Sequence, residues 1–151
     1  DSQTLGATFR RCGYQTALVG KGHMIRNWDE EACEHIRYCD LCDADRRDPR
    51  KHHYFKYLID HGLADMYEDG TLPRDHPAIV NRHGVAELPY QHTNEAFTGR
   101  ESVQFLQERD RRRPFLLHMS FERPHPHWTP AAEHADLHDP AEIELGPDYI
   151  D

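Results

Sequence analysis

Four residues stand out for chemistry: Lys21 and His23 in Gly20-Lys21-Gly22-His23, and His125 and His127 in Pro124-His125-Pro126-His127. A lysine ammonium is a compact point charge that neutralises an anion. Imidazole gives or takes a proton near neutral pH. Gly20 and Gly22 let the backbone turn sharply and pass close to a ligand. Prolines on both sides of His125 stiffen its backbone, which helps to fix a catalytic group. Each motif taken alone also fits an ordinary exposed turn. Brought together, a cation and imidazoles suit a small doubly charged anion such as a sulfate or phosphate ester.

The elements around the motifs give them a reason to meet. Leu5, Thr8, Phe9 and Cys12 fall at helical spacing, with Gly13 as a stop, so 3–12 is expected to be a helix. Residues 14–19 read as a strand leading into Lys21. A second helix is expected from Asn94 to about 109, capped by Asn94 or, for a later start, by Thr98 with Glu101. The basic run at 109–113 suits its C-terminal end. Pro114 stops it, and the apolar run 115–121 reads as a strand buried on both faces, as in a parallel sheet. The fold class expected is therefore α/β, a mostly parallel sheet flanked by helices. In such a sheet ligands bind outside the carboxyl ends of the strands, where both motifs lie. Between the flanks, 25–91 is rich in charge, histidine, proline and glycine and reads as long surface excursions, with one short helix expected over 54–63. Residues 122–147 read as loop.

Bulk properties exclude several classes. A chain of 151 residues allows one modest domain with a core. Its net charge of −9 argues against nucleic acid, which calls for a basic stripe. No apolar run reaches the roughly 18 residues of a membrane span, and no signal peptide opens the chain. The chain reads as an internal segment, 1–151, of one longer catalytic domain. Four cysteines leave the compartment open. Of the thirteen histidines, many fall in the polar middle, where solvated surface residues are expected. A different class of function is a small zinc module on Cys33, His35, Cys39 and Cys42, since Cys39-x-x-Cys42 has ligand spacing. The second ligand pair of such a site is not cleanly present.

Together the two flanks resemble the sulfatase family, within the alkaline phosphatase superfamily. Gly13-Tyr14-Gln15-Thr16-Ala17-Leu18-Val19-Gly20-Lys21-Gly22-His23-Met24 is similar to its Gly-Tyr-x-Thr strand running into Gly-Lys-x-His. Pro114-Phe115-Leu116-Leu117, then Ser120-Phe121, then Pro124-His125-Pro126, resembles its later Pro-Phe-Phe-Leu…Ser-Phe…Pro-His-x-Pro stretch. The helix from His92 through Gly99-Arg100 to Phe105-Leu106, and the tail Leu137-His138-Asp139-Pro140 with Ile143 and Leu145, are similar as well. The resemblance covers 3–24 and 92–147, and leaves 25–91 as a variable insertion.

The resemblance implies an alkaline-phosphatase-like α/β sandwich and hydrolysis of small-molecule sulfate esters. It implies a formylglycine nucleophile and a calcium or similar divalent cation, both held outside this segment by the remainder of the catalytic domain. It gives Lys21 the sulfate oxygens, His23 the formylglycine hydroxyls and expulsion of sulfate, and His125 the sulfate and the leaving oxygen. His127 is a weaker candidate for substrate contact. The family's Cys/Ser-x-Pro-x-Arg nucleophile motif has no match: Cys33-Glu34-His35-Ile36-Arg37 has the Cys-to-Arg spacing but no proline, and lies after Lys21. The paired aspartates that hold the metal are also missing. The isolated chain is therefore expected to be inactive. Within the superfamily the alternative is a phosphonate monoester or phosphodiester hydrolase. Such relatives often replace the lysine and histidine that are both kept here.

Overall fold

The computed structural model describes residues 4–22, 32–40, 47–67, 85–125, 128–144 and 146. His23, Cys42 and His127 lie outside the described residues. Three parallel strands, β1 (Gln15–Gly20), β2 (His35–Tyr38) and β3 (Phe115–Ser120), pair in the order β2-β1-β3. Gly20 lies opposite both Tyr38 and Ser120, so the three strands finish at one level. The chain is α/β, as expected.

β1 is the centre of the sheet, and its sequence shows why. Thr16, Ala17, Leu18 and Val19 are all at most 1% exposed, the continuous burial of a strand covered on both faces. Burying side chains such as Leu18 and Val19 stabilises by about 1.5–3 kcal/mol each. β3 departs from the same expectation. Phe115 and Met119 keep 39% and 44% of their surface, because among the described residues β3 pairs on one side only, with β1.

Among the described residues three helices pack on the sheet. α1 (Leu5–Arg11) starts at Thr4, whose hydroxyl accepts from the Ala7 N–H. α2 (His53–Asp60) is capped by His52, whose Nδ1 accepts from the Phe55 N–H at 3.1 Å. α3 (Asn94–Glu108) is capped by Thr93 rather than by Asn94 or Thr98. Asn94 is instead buried, and its Nδ2 donates to the Cys39 carbonyl at 3.1 Å, tying the start of α3 to the end of β2.

The middle of the chain is more than surface excursion. β2 was not expected, yet it completes the described sheet. α2 brings Tyr54 and Leu58 into a core cluster with Cys39, Tyr67, Leu88 and Phe97. His52 is buried, its ring beside those of Tyr54 and Tyr67, and His53 is half-buried. The Nδ1 of His52 is occupied by the cap, so its proton sits on Nε2, which donates to the Asp40 carbonyl at 3.2 Å. His53 Nδ1 accepts from the Tyr38 N–H at 3.0 Å, and burial lowers its pKa. The described residues after β3 run as loop with two single helical turns, Ala132–His134 and Pro140–Glu142.

Candidate functional site

The carboxyl end of the sheet is built around Gly20. Its carbonyl accepts from the Cys39 N–H at 3.0 Å, and the Lys21 N–H donates to the Ser120 carbonyl at 2.9 Å. Lys21 is thus anchored where all three strands end. Gly20 has φ +103°, and a Cβ there would stand 1.9 Å from the Ser120 oxygen. Only glycine fits a strand end this close to its neighbour.

The loop after β3 carries the second motif to the same place. Arg123 sets one guanidinium nitrogen 2.8 Å from both Glu95 oxygens at the start of α3, and its other reaches Thr129 Oγ1 at 2.8 Å. The His125 N–H closes a turn onto the Glu122 carbonyl at 3.1 Å. Inside that turn sits the Glu122 side chain, 1% exposed. Its Oε1 accepts from Lys21 Nζ at 2.8 Å and lies 3.7 Å from His125 Nδ1. The Lys21 side chain is 14% exposed and that of His125 48%.

The described structure therefore brings Lys21 and His125 together through a carboxylate that sequence reasoning gave no role. The charge of this corner differs from a bare cation with imidazoles, because Glu122 already balances Lys21. The signal for Glu122 was present: a lone acid ends an apolar strand, three residues before His125, where a turn folds it back.

Of the zinc reading's candidates, the three described ones, Cys33, His35 and Cys39, sit in different surroundings. Cys33 packs in a cluster with Leu18 and Ala32, Cys39 in the cluster around Tyr54, and the His35 ring lies 5.3 Å from that of Phe105. Burial pushes the Cys39 thiol up to about 12, opposed in part by its contact with the Thr98 hydroxyl. Among the described residues no three His, Cys, Asp or Glu side chains converge on a metal position. Nor is any helix among them long and apolar enough to cross a membrane.

The sulfatase family model matches residues 1–136. The chain belongs to the sulfatase family. It is 26% identical to the N-acetylglucosamine-6-O-sulfatase of Bacteroides thetaiotaomicron, over 91% of this chain and 19% of that protein. It is 28% identical to an arylsulfatase of Clostridium perfringens, over 89% of this chain and 29% of the relative. It is 26% identical to the multifunctional alkaline phosphatase superfamily protein PehA of Trinickia caryophylli, over 85% of this chain and 27% of the relative. The chain thus spans less than a third of the length of these relatives. The match runs through 25–91, where the motif-level resemblance had stopped.

Proposed function

We propose that this chain forms one wall of a site that hydrolyses sulfate esters, with Lys21 holding the sulfate oxygens and His125 serving the leaving oxygen. The observation that carries the reading is the meeting of Lys21 and His125 at the carboxyl edge of the sheet, in a sulfatase family member. The ammonium of Lys21 offers three N–H donors, of which Glu122 takes one. Fixed positive charge beside the transferring group stabilises the charge that spreads over it in the transition state. The half-exposed imidazole of His125 is accessible to an ester oxygen, and a positioned acid contributes about 10²–10⁴-fold. His23, two residues beyond Lys21, is proposed to share the nucleophile side of the site.

The described residues do not supply a metal set. The divalent cation and formylglycine that belong to this reading are proposed to be held by residues outside this chain, and no step above runs through them. PehA, a superfamily protein described as multifunctional, keeps phosphonate monoester and phosphodiester hydrolysis as the second reading.

The test uses the whole protein that carries this chain. It is offered 4-nitrophenyl sulfate, the corresponding phosphodiester and a phosphonate monoester. Preferred turnover of the sulfate, falling by about 10²-fold or more in His125→Ala, is the expected result. An undiminished rate in that variant removes His125 from the mechanism, and preferred turnover of either phosphorus ester selects the second reading. His125 is the safer site to vary, because Lys21→Ala would leave the Glu122 carboxylate buried beside a truncated partner, a change worth about 3–5 kcal/mol of stability.

A further inference from the structure

We propose that Glu122 is a positioning residue of the ester site, its buried carboxylate holding Lys21 in place and turning His125 so that Nε2 meets the ester's bridging oxygen. The inference rests on the sulfate-ester reading above and adds a residue to it. Three observations carry it. One carboxylate oxygen faces both functional side chains, at 2.8 Å from Lys21 Nζ and 3.7 Å from His125 Nδ1. The Glu122 side chain is 1% exposed, so its position is set by the fold and not by solvent. The loop that carries it is pinned on both sides, by the Lys21 N–H on Ser120 and by Arg123 on Glu95.

The geometry gives each contact a purpose. An ammonium on a flexible four-carbon stem loses much rotamer freedom when it settles on an anion. Holding it beforehand on a buried acceptor removes that cost from the binding step. For His125 the separation of 3.7 Å is an ion contact when the ring is protonated, and closing it to a hydrogen bond takes a rotation of the ring. With Nδ1 turned to Glu122, Nε2 lies at the far edge of the ring. In the protonated ring, Nδ1–H stays on Glu122 while the proton on Nε2 passes to the ester oxygen. As the attacking group, proposed to lie outside this chain, bonds to sulfur, the S–O bond to that oxygen breaks, its electron pair takes the proton, and a neutral imidazole remains. Glu122 touches neither the ester nor the attacking group, so it acts through its two neighbours.

The experiment compares the whole protein with its Glu122→Gln and Glu122→Asp variants on two sulfate esters. One is 4-nitrophenyl sulfate, whose leaving group needs little protonation, and the other an alkyl sulfate, whose leaving group needs it badly. A residue that orients the acid shows up as unequal losses. Glu122→Gln is expected to lose about tenfold more kcat/KM on the alkyl ester than on the nitrophenyl ester, a part of the 10²–10⁴-fold that a positioned acid supplies. Glu122→Asp keeps the charge but is one methylene too short to serve both partners, and should fall between. Equal losses on both esters, or none, overturn the inference. Should Glu122→Gln fail to fold, the bias of Glu122→Asp decides in the same way. A crystal structure of the variant that folds gives a readout that needs no turnover: Lys21 or His125 displaced supports the inference, and both unmoved overturns it. A wild type that hydrolyses no sulfate ester sinks the functional reading alone, and the crystallographic comparison then decides the positioning role.

Discussion

The place of Lys21 is set by a residue with no side chain. Gly20 combines a positive φ with a neighbouring carbonyl that occupies the space of a Cβ. Gly20→Ala therefore incurs two penalties. The backbone conformation costs about 1–3 kcal/mol in a residue that has a Cβ, and the clash with the Ser120 oxygen forces β1 and β3 apart at the point where Lys21 is anchored. A loss of stability of about 3 kcal/mol or more is expected, read as a lowered urea midpoint. A midpoint within error of wild type would show that the strand ends have slack the structure does not display. At this scale the sequence was legible where a residue type has few uses. Lysine after glycine at a strand end, and histidine between prolines, announced themselves. Glu122 and His52 did not. A glutamate is ordinarily a surface residue, and a histidine is not among the usual helix caps. Both take their roles from partners far along the chain, Lys21 for one and the Asp40 carbonyl beside the cap for the other.

At the scale of elements, a second cross-brace holds the amino ends of the strands. Arg113, just ahead of β3, donates to the Gly13 and Tyr14 carbonyls ahead of β1, and pairs through both terminal nitrogens with Glu34, next to β2. One guanidinium thus spans all three strands at the end opposite the candidate site. Its hydrogen bonds to Glu34 hold that carboxyl below the usual carboxylate range. The sign of the linkage follows. A carboxylate whose pKa is lower in the folded chain adds stability above its unfolded value, near 4.5, and that stability is lost as pH falls through the folded value. Glu34→Gln should therefore lower the melting temperature at pH 7, by a small amount because the pair is partly solvated. The deficit should shrink as the pH drops below about 4.5, and a deficit that is the same at pH 3 and pH 7 would remove Glu34 ionisation from the account. The helices and the two longer strands were readable from period, caps and the proline stop. β2 was not, because the alternation of His35, Ile36, Arg37 and Tyr38 is only four residues long in a polar stretch, and it stands as a strand through its pairing with β1. Thr93, not Asn94, caps α3, since Asn94 is drawn into the core by the Cys39 carbonyl.

At the scale of the whole molecule, the question is how much of a catalyst 151 residues of this kind make. Enzymes accelerate their reactions by typically 10⁶–10¹⁷-fold. A positioned acid supplies about 10²–10⁴ of that, and one preorganised hydrogen-bond donor on the developing charge about 10²–10³. These are the contributions proposed for Lys21 and His125. The part they cannot make is a nucleophile, and the sequence contains no Cys/Ser-x-Pro-x-Arg stretch to provide one. The relatives this chain matches are three to five times longer, since it covers 29%, 27% and 19% of them. The purified 151-residue chain is therefore expected to leave an aryl sulfate unhydrolysed. The measurement is release of the phenol at high chain concentration, with the His125→Ala chain as the control that separates specific from contaminating activity. Turnover that His125→Ala abolishes would mean that the attacking group lies within these residues. The whole protein and the isolated chain then separate the two halves of the site: whatever rate the first has and the second lacks belongs to the nucleophile and cation proposed to sit opposite Lys21, Glu122 and His125.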